Sequence, residues 1–285
     1  MSKLQIHSEK KKTVIGIDVG GSTTKIVGFT PDGKLIPPQI VKANDPVTSV
    51  YGAFGKFTVE NGISLPEIEK ITMTGVGSAF LTSPIYNLTC QPVAEFDSIG
   101  LGGLYLSGLD EAIVVSMGTG TALVHAKKEG SSIVTEYLGG TGVGGGTITG
   151  LAKKLVDIDS VRHLAELSET GDLSKVDLRV GDISNTHVFT DIKADLTASN
   201  FGRVSDLASR NDIALGIINM VAETVCMMAV FASRNFGNKD IVLTGNLTAI
   251  APIRKVFENL AENFKVNFIF PEHSQFGTVI GAALQ

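Results

Sequence analysis

The chain has 285 residues and a formal net charge of −5, and 43% of its residues are hydrophobic against 19% charged. This composition, with 32 glycines, is typical of a soluble α/β protein with one large or two smaller domains. The acidic balance excludes an overall basic field, so we expect no nucleic-acid partner.

The N-terminal segment and the cysteines indicate the compartment. The chain starts with a polar, lysine-rich segment that lacks the apolar core of a signal peptide. Cys90 and Cys226 are far apart and have no partner at disulfide or zinc-ligand spacing. We therefore expect a protein of the reducing cytoplasm, with residues 1–12 as a polar, solvated tail.

The first half of the chain is predicted to form a sheet with helices packed on it, as a domain over residues 13–110. The predicted strands cover residues 14–18, 25–29, 36–42 and 71–74, and the predicted helices cover residues 46–59 and 92–106.

The second half is predicted to form a similar domain over residues 111–285. A strand, a glycine and hydroxyl turn, and a second strand occur in both halves, near residues 14–29 and 112–127, which indicates a structural duplication. The predicted strands cover residues 112–116, 122–127, 133–138, 241–244 and 266–270, and the predicted helices cover residues 147–155, 160–168, 197–209, 211–235, 252–263 and 276–284.

One predicted helix is long enough to span a bilayer. The apolar run over residues 213–232 is interrupted by Asn219, Glu223 and Thr224. A helix buried inside a folded domain explains those polar residues better than a membrane span. We therefore expect no membrane partner.

Three glycine-rich loops, each at the end of a strand, are the strongest functional signal. They cover residues 16–25, 116–121 and 139–147. Glycine lets backbone N–H groups approach an anion closely, and the hydroxyl residues beside these glycines add further donors. Three such loops predict a polyphosphate that is held from several sides. The third loop also matches a dinucleotide fingerprint, but the acidic ribose ligand of a dehydrogenase is not evident.

The residue types in the first two loops suit a magnesium nucleotide. Asp18 directly follows an apolar strand, where a carboxylate can hold Mg²⁺ beside phosphates. Lys25 can add a positive charge to a β- or γ-phosphate. Alternatively, Asp18 is a turn residue and Lys25 is a surface charge on a hairpin.

Phosphoryl transfer also needs a group that deprotonates the attacking hydroxyl. Glu95 lies among apolar neighbours near the start of a predicted helix, whereas Asp110 and Glu111 are typical of an exposed turn. We therefore predict Glu95 as the catalytic base. A helix N-cap role for Glu95 or Asp97 is the alternative.

Taken in order, these motifs resemble those of type II pantothenate kinases, members of the actin, sugar-kinase and heat-shock ATPase superfamily. The resemblance covers nearly the whole chain from Val14. It is carried by the first and third glycine loops, Glu-Phe-Asp at 95–97, Gly-Thr-Gly-Thr at 118–121, Thr-Ala-Ser-Asn-Phe-Gly at 197–202 and Phe-Gly-x-x-Ile-Gly-Ala at 276–282.

The resemblance implies a two-domain actin-like ATPase fold, a duplicated ribonuclease H-like architecture, with the nucleotide in the cleft between the domains. It implies ATP- and Mg²⁺-dependent phosphorylation of pantothenate to 4'-phosphopantothenate, the first step of coenzyme A biosynthesis. Family members are homodimers, and the long apolar helix starting near Asn211 is a candidate for the dimer interface.

The resemblance also implies roles for individual residues. Glu95 is the implied catalytic base and Asp18 the implied magnesium ligand. The implied ATP and phosphate contacts are Asp18, Gly20, Gly21, Ser22, Thr23, Lys25, Gly118, Thr119, Gly120, Thr121, Gly144, Gly145, Gly146 and Phe276. The implied acceptor-substrate contacts are Glu95, Thr119, Tyr137 and Gly139.

The chain departs from the family pattern at Tyr137, which stands where the family usually has an arginine that meets the substrate. Losing a bidentate cation changes how a carboxylate-bearing substrate is held, although the tyrosine can still donate a hydrogen bond. The reaction type is therefore better defined by the sequence than the acceptor substrate.

Three other functions fit some of the motifs. They are a related small-molecule kinase with another hydroxyl substrate, an ATP-driven activator of the radical-dehydratase type, and a non-catalytic nucleotide-binding module. The activators hold an iron–sulfur cluster with paired cysteines, for which Cys90 and Cys226 are poorly placed.

Overall fold

The computed structural model describes residues 2–5, 12–21, 23–42, 45–81, 83–183 and 193–285. Strands and helices alternate along this part of the chain. The strands are β1 (Ser2–Gln5), β2 (Thr13–Val19), β3 (Thr24–Phe29), β4 (Leu35–Val41), β5 (Ile68–Thr74), β6 (Cys90–Pro92), β7 (Glu111–Met117), β8 (Thr121–Glu129), β9 (Ser132–Thr141), β10 (Leu178–Arg179), β11 (Thr197–Ser199), β12 (Asp240–Thr244) and β13 (Asn267–Ile269).

Within these described ranges, eight α-helices cover the sheets or lie between them. They are α1 (Pro46–Glu60), α2 (Glu95–Ser107), α3 (Gly145–Val156), α4 (Val161–Ser168), α5 (Val180–Ile183), α6 (Arg210–Phe236), α7 (Ala251–Phe264) and α8 (Gly277–Leu284).

The two main sheets have the same strand order. The first is β4-β3-β2-β5-β6, and the second contains β9-β8-β7-β12-β13 with β1 added at its outer edge. In each, three antiparallel strands are followed by two strands that run parallel to the first of the three. The predicted structural duplication is therefore confirmed.

A matching glycine follows β5 in the first sheet and β12 in the second sheet. Gly75 and Gly245 both have positive φ angles, 87° and 91°. A Cβ atom added to either residue would lie 2.5 Å from a backbone oxygen, that of Val19 for Gly75 and that of Met117 for Gly245. Both positions need glycine because the chain turns there against the end of a neighbouring strand.

Two segments differ from the predictions. Residues 2–5 form β1, which pairs with the free edge of β9, so this part of the predicted tail is a strand; residues 6–11 lie outside the described residues. Residues 197–209 form β11 and turns instead of a helix. The polar groups there bond to distant partners, since Thr197 and Asn200 donate to Glu223 and the Phe201 N–H donates to Asp177.

Helices α2 and α8 pack closely against each other between the two sheets. A Cβ atom on Gly102 would lie 1.8 Å from the carbonyl oxygen of Gly277, and one on Gly281 would lie 1.8 Å from that of Ser98. Helix α2 packs on β7, β8 and β9, whereas α8 packs on β2, β3 and β5, so each half contributes a helix to the other half's sheet. The domain boundary at 110/111 stays a prediction.

We expect Gly102→Ala to lower the free energy of unfolding by about 3 kcal/mol, because the new methyl group meets backbone rather than a movable side chain. Gly55→Ala in α1 is the matched control. No atom lies within 4 Å of its added Cβ, and losing a helical glycine should stabilise the protein by about 0.5–1 kcal/mol. Urea unfolding measures both values, and equal effects would contradict the packing argument.

In the described part of the chain, α6 is the one helix long and apolar enough to cross a membrane by length and composition. Its apolar window is 61% buried inside the protein. Its inner face packs against the second sheet and against α3, α4 and α7. This placement agrees with the predicted buried helix.

Candidate active site

A cleft of about 510 Å³ brings the first two glycine loops together with Glu95. Its walls come from both halves of the chain, at the ends of β2, β5, β7 and β12. The lining residues are Asp18, Gly20, Gly21, Thr23, Lys25, Gly75, Val76, Glu95, Ile99, Ser116, Gly118, Thr119, Gly120, Thr121, Ala122, Tyr137, Gly140, Thr141, Gly142, Gly245, Asn246 and Thr278.

The first loop is the tight turn of the β2–β3 hairpin, which sets Asp18 opposite Lys25. The Gly20 N–H closes the turn by donating to the Thr23 carbonyl at 3.0 Å. Asp18 is 9% exposed and Lys25 is 7% exposed, so two opposite charges share a nearly buried position. Ser22, one of the predicted phosphate contacts, lies outside the described residues.

Burial and pairing oppose each other at these two groups. Burial raises the pKa of Asp18, and the positive charge of Lys25 opposes that rise. Burial lowers the pKa of Lys25, and the negative charge of Asp18 opposes that fall. Burial is the larger effect at both groups, and each charge offsets part of it at the other. The burial of Lys25 also excludes the alternative of a surface lysine.

The second loop is the turn between β7 and β8, and the third loop packs onto it. The N–H groups of Gly145 and Gly146 donate to the carbonyls of Gly118 and Thr119, each at 2.9 Å. The third loop therefore supports the second, and these two N–H groups are already used within the protein. At the tip of the second loop, the N–H groups of Thr119 and Gly120 donate to no acceptor within the described ranges.

Glu95 is the first residue of α2, at the rim of the cleft. Partial burial raises the pKa of the Glu95 carboxyl, and the negative charge of Asp18 raises it further. Ala94 is the N-cap of α2 and makes no side-chain cap, so neither acid in the first turn has the alternative capping role.

The start of α2 is anchored on β9 by two contacts. The ring of Phe96 stacks on that of Tyr137 with centroids 3.8 Å apart and an interplanar angle of 11°. Asp97 accepts a hydrogen bond from the Thr135 hydroxyl. These neighbours fix the position of Glu95, which lies directly before them in the chain.

The other two acids considered in the sequence lie away from the cleft. Glu111 contacts the side chains of His125 at 2.9 Å and Lys127 at 3.2 Å, and Asp110 pairs with Lys128 on the surface. Neither acid lines the cleft. The structure thus separates Glu95 from both.

A second chamber of about 900 Å³ adjoins the cleft and shares Thr23, Gly118, Thr119 and Asn246 with it. Its size and its mixed lining suit a nucleoside. The remaining lining residues are Ile40, Lys42, Gly145, Gly146, Thr149, Gly150, Asp159, Ser160, Val161, Arg162, Leu247, Ile250 and Gln275.

Three predicted site residues line neither chamber. Phe276 packs with the apolar cluster of Val14 and Val279 between the sheets, and its neighbour Gln275 faces the second chamber instead. Gly139 lies in a strand irregularity with a φ of 116°, and Gly140 lines the cleft in its place. Gly144 lies against the second loop as the N-cap of α3, where an added Cβ would lie 2.7 Å from the Thr119 oxygen.

Asn246 was missed in the sequence, although it borders both chambers. Its Oδ1 atom is buried and has no hydrogen-bond partner in the part of the chain that is described. Such an acceptor is suited to a donor from a bound molecule. The available signal was the Thr-Gly pair after β5 and again after β12, at residues 74–75 and 244–245.

Comparison with known proteins identifies the family. The Fumble family model matches residues 111–285. The type II pantothenate kinase of Staphylococcus aureus strain USA300 is 31% identical over 283 residues, covering 94% of this chain and 97% of the relative. That of S. aureus strain bovine RF122 / ET3-1 is 30% identical over the same shares of both chains.

Two solved structures share the fold. The activator of the 2-hydroxyisocaproyl-CoA dehydratase from Clostridium difficile, with bound ADPNP, has a TM-score of 0.66 at 17% identity and covers 95% of this chain and 93% of that chain. Component A of the (R)-2-hydroxyglutaryl-CoA dehydratase from Acidaminococcus fermentans has a TM-score of 0.66 at 18% identity, covering 96% and 97%. Likeness at such low identity shows the fold alone, and it confirms the predicted actin-like ATPase fold. By sequence, the chain belongs to the type II pantothenate kinase family.

Proposed function

We propose that this protein is an ATP-dependent pantothenate kinase that converts pantothenate to 4'-phosphopantothenate, the first step of coenzyme A biosynthesis. The proposal rests on the sequence relationship to type II pantothenate kinases and on one structural observation. That observation is the meeting of Glu95 with the Asp18–Lys25 pair and the Gly118–Thr121 turn in one cleft. A base and a phosphate-binding surface are the two parts that hydroxyl phosphorylation requires.

Glu95 accepts the proton of the acceptor's primary hydroxyl as that oxygen attacks the γ-phosphorus. The bond between the γ-phosphorus and the β–γ bridging oxygen breaks, and ADP leaves. Lys25 and the N–H groups of Thr119 and Gly120, which donate to no acceptor among the described residues, stabilise the negative charge on the transferred phosphoryl group. The nucleoside occupies the second chamber, next to Asn246.

The donor set of the cleft fits Mg²⁺. The described lining residues offer carboxylate, hydroxyl and amide oxygens, which a hard cation prefers. Of the lining acids, Asp18 is the one that lies within a glycine loop in the sequence. We propose that Asp18 holds Mg²⁺ directly or through water. When bound, the ion supplies positive charge to the β- and γ-phosphates.

We also propose a homodimer in the cytoplasm. Phe231 on α6 is 59% exposed, and Met227, one turn earlier, borders a shallow cavity with Phe264. An exposed aromatic ring on a long apolar helix is typical of a subunit contact. Sedimentation should give the mass of two chains of 30.0 kDa, and the mass of a single chain would contradict the dimer.

The alternative of a radical-dehydratase activator is less well supported. Cys226 is buried, and this burial is the main cause that raises the pKa of its thiol to about 12. Cys90 lies half-buried on β6 in the other half of the chain. Neither thiol is suited to hold an iron–sulfur cluster as a thiolate.

A coupled ADP-release assay tests the proposed function. The purified chain with ATP and Mg²⁺ should release ADP when pantothenate is added, and mass spectrometry should identify phosphopantothenate. A reaction without acceptor is the control. ATP binding without ADP release for any acceptor in a panel of pantothenate derivatives and sugars would contradict the kinase and leave a non-catalytic nucleotide-binding module.

A further inference from the structure

An uncharged aromatic wall borders the acceptor end of the cleft. Tyr137 and Phe96 are 48% and 39% exposed, yet their rings stack face to face. Tyr137 lines the same cleft as Glu95, and Phe96 is the residue after Glu95. A Cβ atom added to Gly140 would lie 3.2 Å from the Tyr137 hydroxyl, so that hydroxyl reaches over the third glycine loop. An acceptor with its hydroxyl at Glu95 therefore extends along this wall.

The charges around the cleft are predominantly negative. Among its described lining residues, the charged ones are Asp18, Lys25 and Glu95. Lys25 is nearly buried, faces Asp18 across the hairpin and serves the phosphates in the proposed function, so it offers no charge to the acceptor end. Bound ATP adds further negative charge, which one Mg²⁺ neutralises only in part. No described lining residue near Tyr137 offers a cation to a carboxylate on the acceptor.

These conditions disfavour a charged acceptor end. Moving a carboxylate from water to a site without a cation costs free energy, and like charges add repulsion. For a neutral amide, both the desolvation cost and the charge repulsion are smaller. Aromatic faces also pack well against amides and alkyl chains.

We infer that this kinase prefers acceptors in which the carboxylate of pantothenate is replaced by a neutral amide, with the Phe96–Tyr137 wall as the specificity determinant. The inference rests on the proposed function, because it names the acceptor class for the same hydroxyl phosphorylation at Glu95.

The first test compares the steady-state kinetics of the wild-type protein with two acceptors. They are pantothenate and pantetheine, in which the carboxylate is replaced by a neutral amide that bears a thiol. We expect kcat/KM for pantetheine to exceed that for pantothenate. An equal or higher kcat/KM for pantothenate would overturn this inference alone and leave the proposed function standing. If the protein turned over neither acceptor, the proposed function would be overturned, and the inference would fall with it.

Tyr137→Arg provides the second test, because it places a cation on the wall. We expect the ratio of kcat/KM for pantothenate to that for pantetheine to rise at least about tenfold, the effect of one charge-assisted hydrogen bond. Tyr86→Arg is the matched control, since it adds the same charge at an exposed tyrosine that does not line the cleft. An unchanged ratio in a folded Tyr137→Arg protein would also overturn the inference. The wild-type comparison needs no substitution, so the inference stays testable even when the variant does not fold.

Discussion

Replacing Glu95 with glutamine should lower kcat for pantothenate phosphorylation by about 10²–10⁴-fold, the usual contribution of a positioned general base. Glutamine keeps the size and the polarity of the side chain but cannot accept the hydroxyl proton. The Phe96–Tyr137 stack and the Asp97–Thr135 hydrogen bond do not involve the Glu95 carboxylate, so the start of α2 should stay in place. The coupled ADP-release assay at saturating ATP and pantothenate measures this loss.

The pH profile separates a base from a merely structural carboxylate. Because partial burial and the charge of Asp18 raise the pKa of Glu95, the acidic limb of kcat/KM should lie above the ordinary value of 4.5. Activity falls as pH drops through the raised pKa, since only the carboxylate accepts a proton. Glu69→Gln, at an exposed acid on β5 outside the cleft, should keep both rate and profile. Near-normal turnover by Glu95→Gln would remove Glu95 from its proposed role.

Replacing Asp18 with asparagine should lower kcat/KM by at least about 10²-fold, because the magnesium nucleotide loses its carboxylate. The same change should destabilise the protein by about 3 kcal/mol, because it leaves the charge of Lys25 nearly buried without a partner. Urea unfolding and the kinase assay measure the two effects separately.

A second substitution distinguishes chemistry from folding at this pair. Asp18→Asn with Lys25→Met removes both buried charges and should recover most of the stability but none of the activity. In Asp18→Asn alone, the lost carboxylate no longer opposes the burial that lowers the pKa of Lys25. The unfolded state then binds more protons than the folded state, so the stability deficit should shrink as pH rises from neutral toward 10. Full activity in the stable double variant would contradict the role of Asp18.

The predicted elements agree with the structure where the local pattern is strong. The apolar strands near residues 14–18 and 112–116 and the long helix near 211–235 are found with small shifts at their ends. The pattern fails at residues 197–209, where the partners Asp177 and Glu223 are supplied by distant parts of the chain. It also misses β1, since pairing with the edge of β9 depends on a strand more than a hundred residues away.

The predictions of site residues likewise agree with the structure where the signal is local. Residues within one turn, such as Asp18 and Lys25, could be assigned together because a tight hairpin sets them opposite each other. Asn246 has only a weak local signal, the repeated Thr-Gly pair before it, because its place between two chambers depends on other segments of the chain. Phe276 shows the reverse case, since a residue beside the chambers in sequence packs against the apolar cluster between the sheets.

The sequence by itself determined the duplicated strand–turn–strand units, the three glycine loops and Glu95 as the candidate base, because glycine and hydroxyl turns after apolar strands are local signals. Tertiary structure alone decided what those loops do. It uses the N–H groups of Gly145 and Gly146 to support the second loop, whereas those of Thr119 and Gly120 donate to no acceptor among the described residues. It also turns Tyr137 onto Phe96 at the acceptor end. The physical reason is that a hydrogen-bond donor or an aromatic ring acquires its role from the partner it meets, and those partners lie far away along the chain.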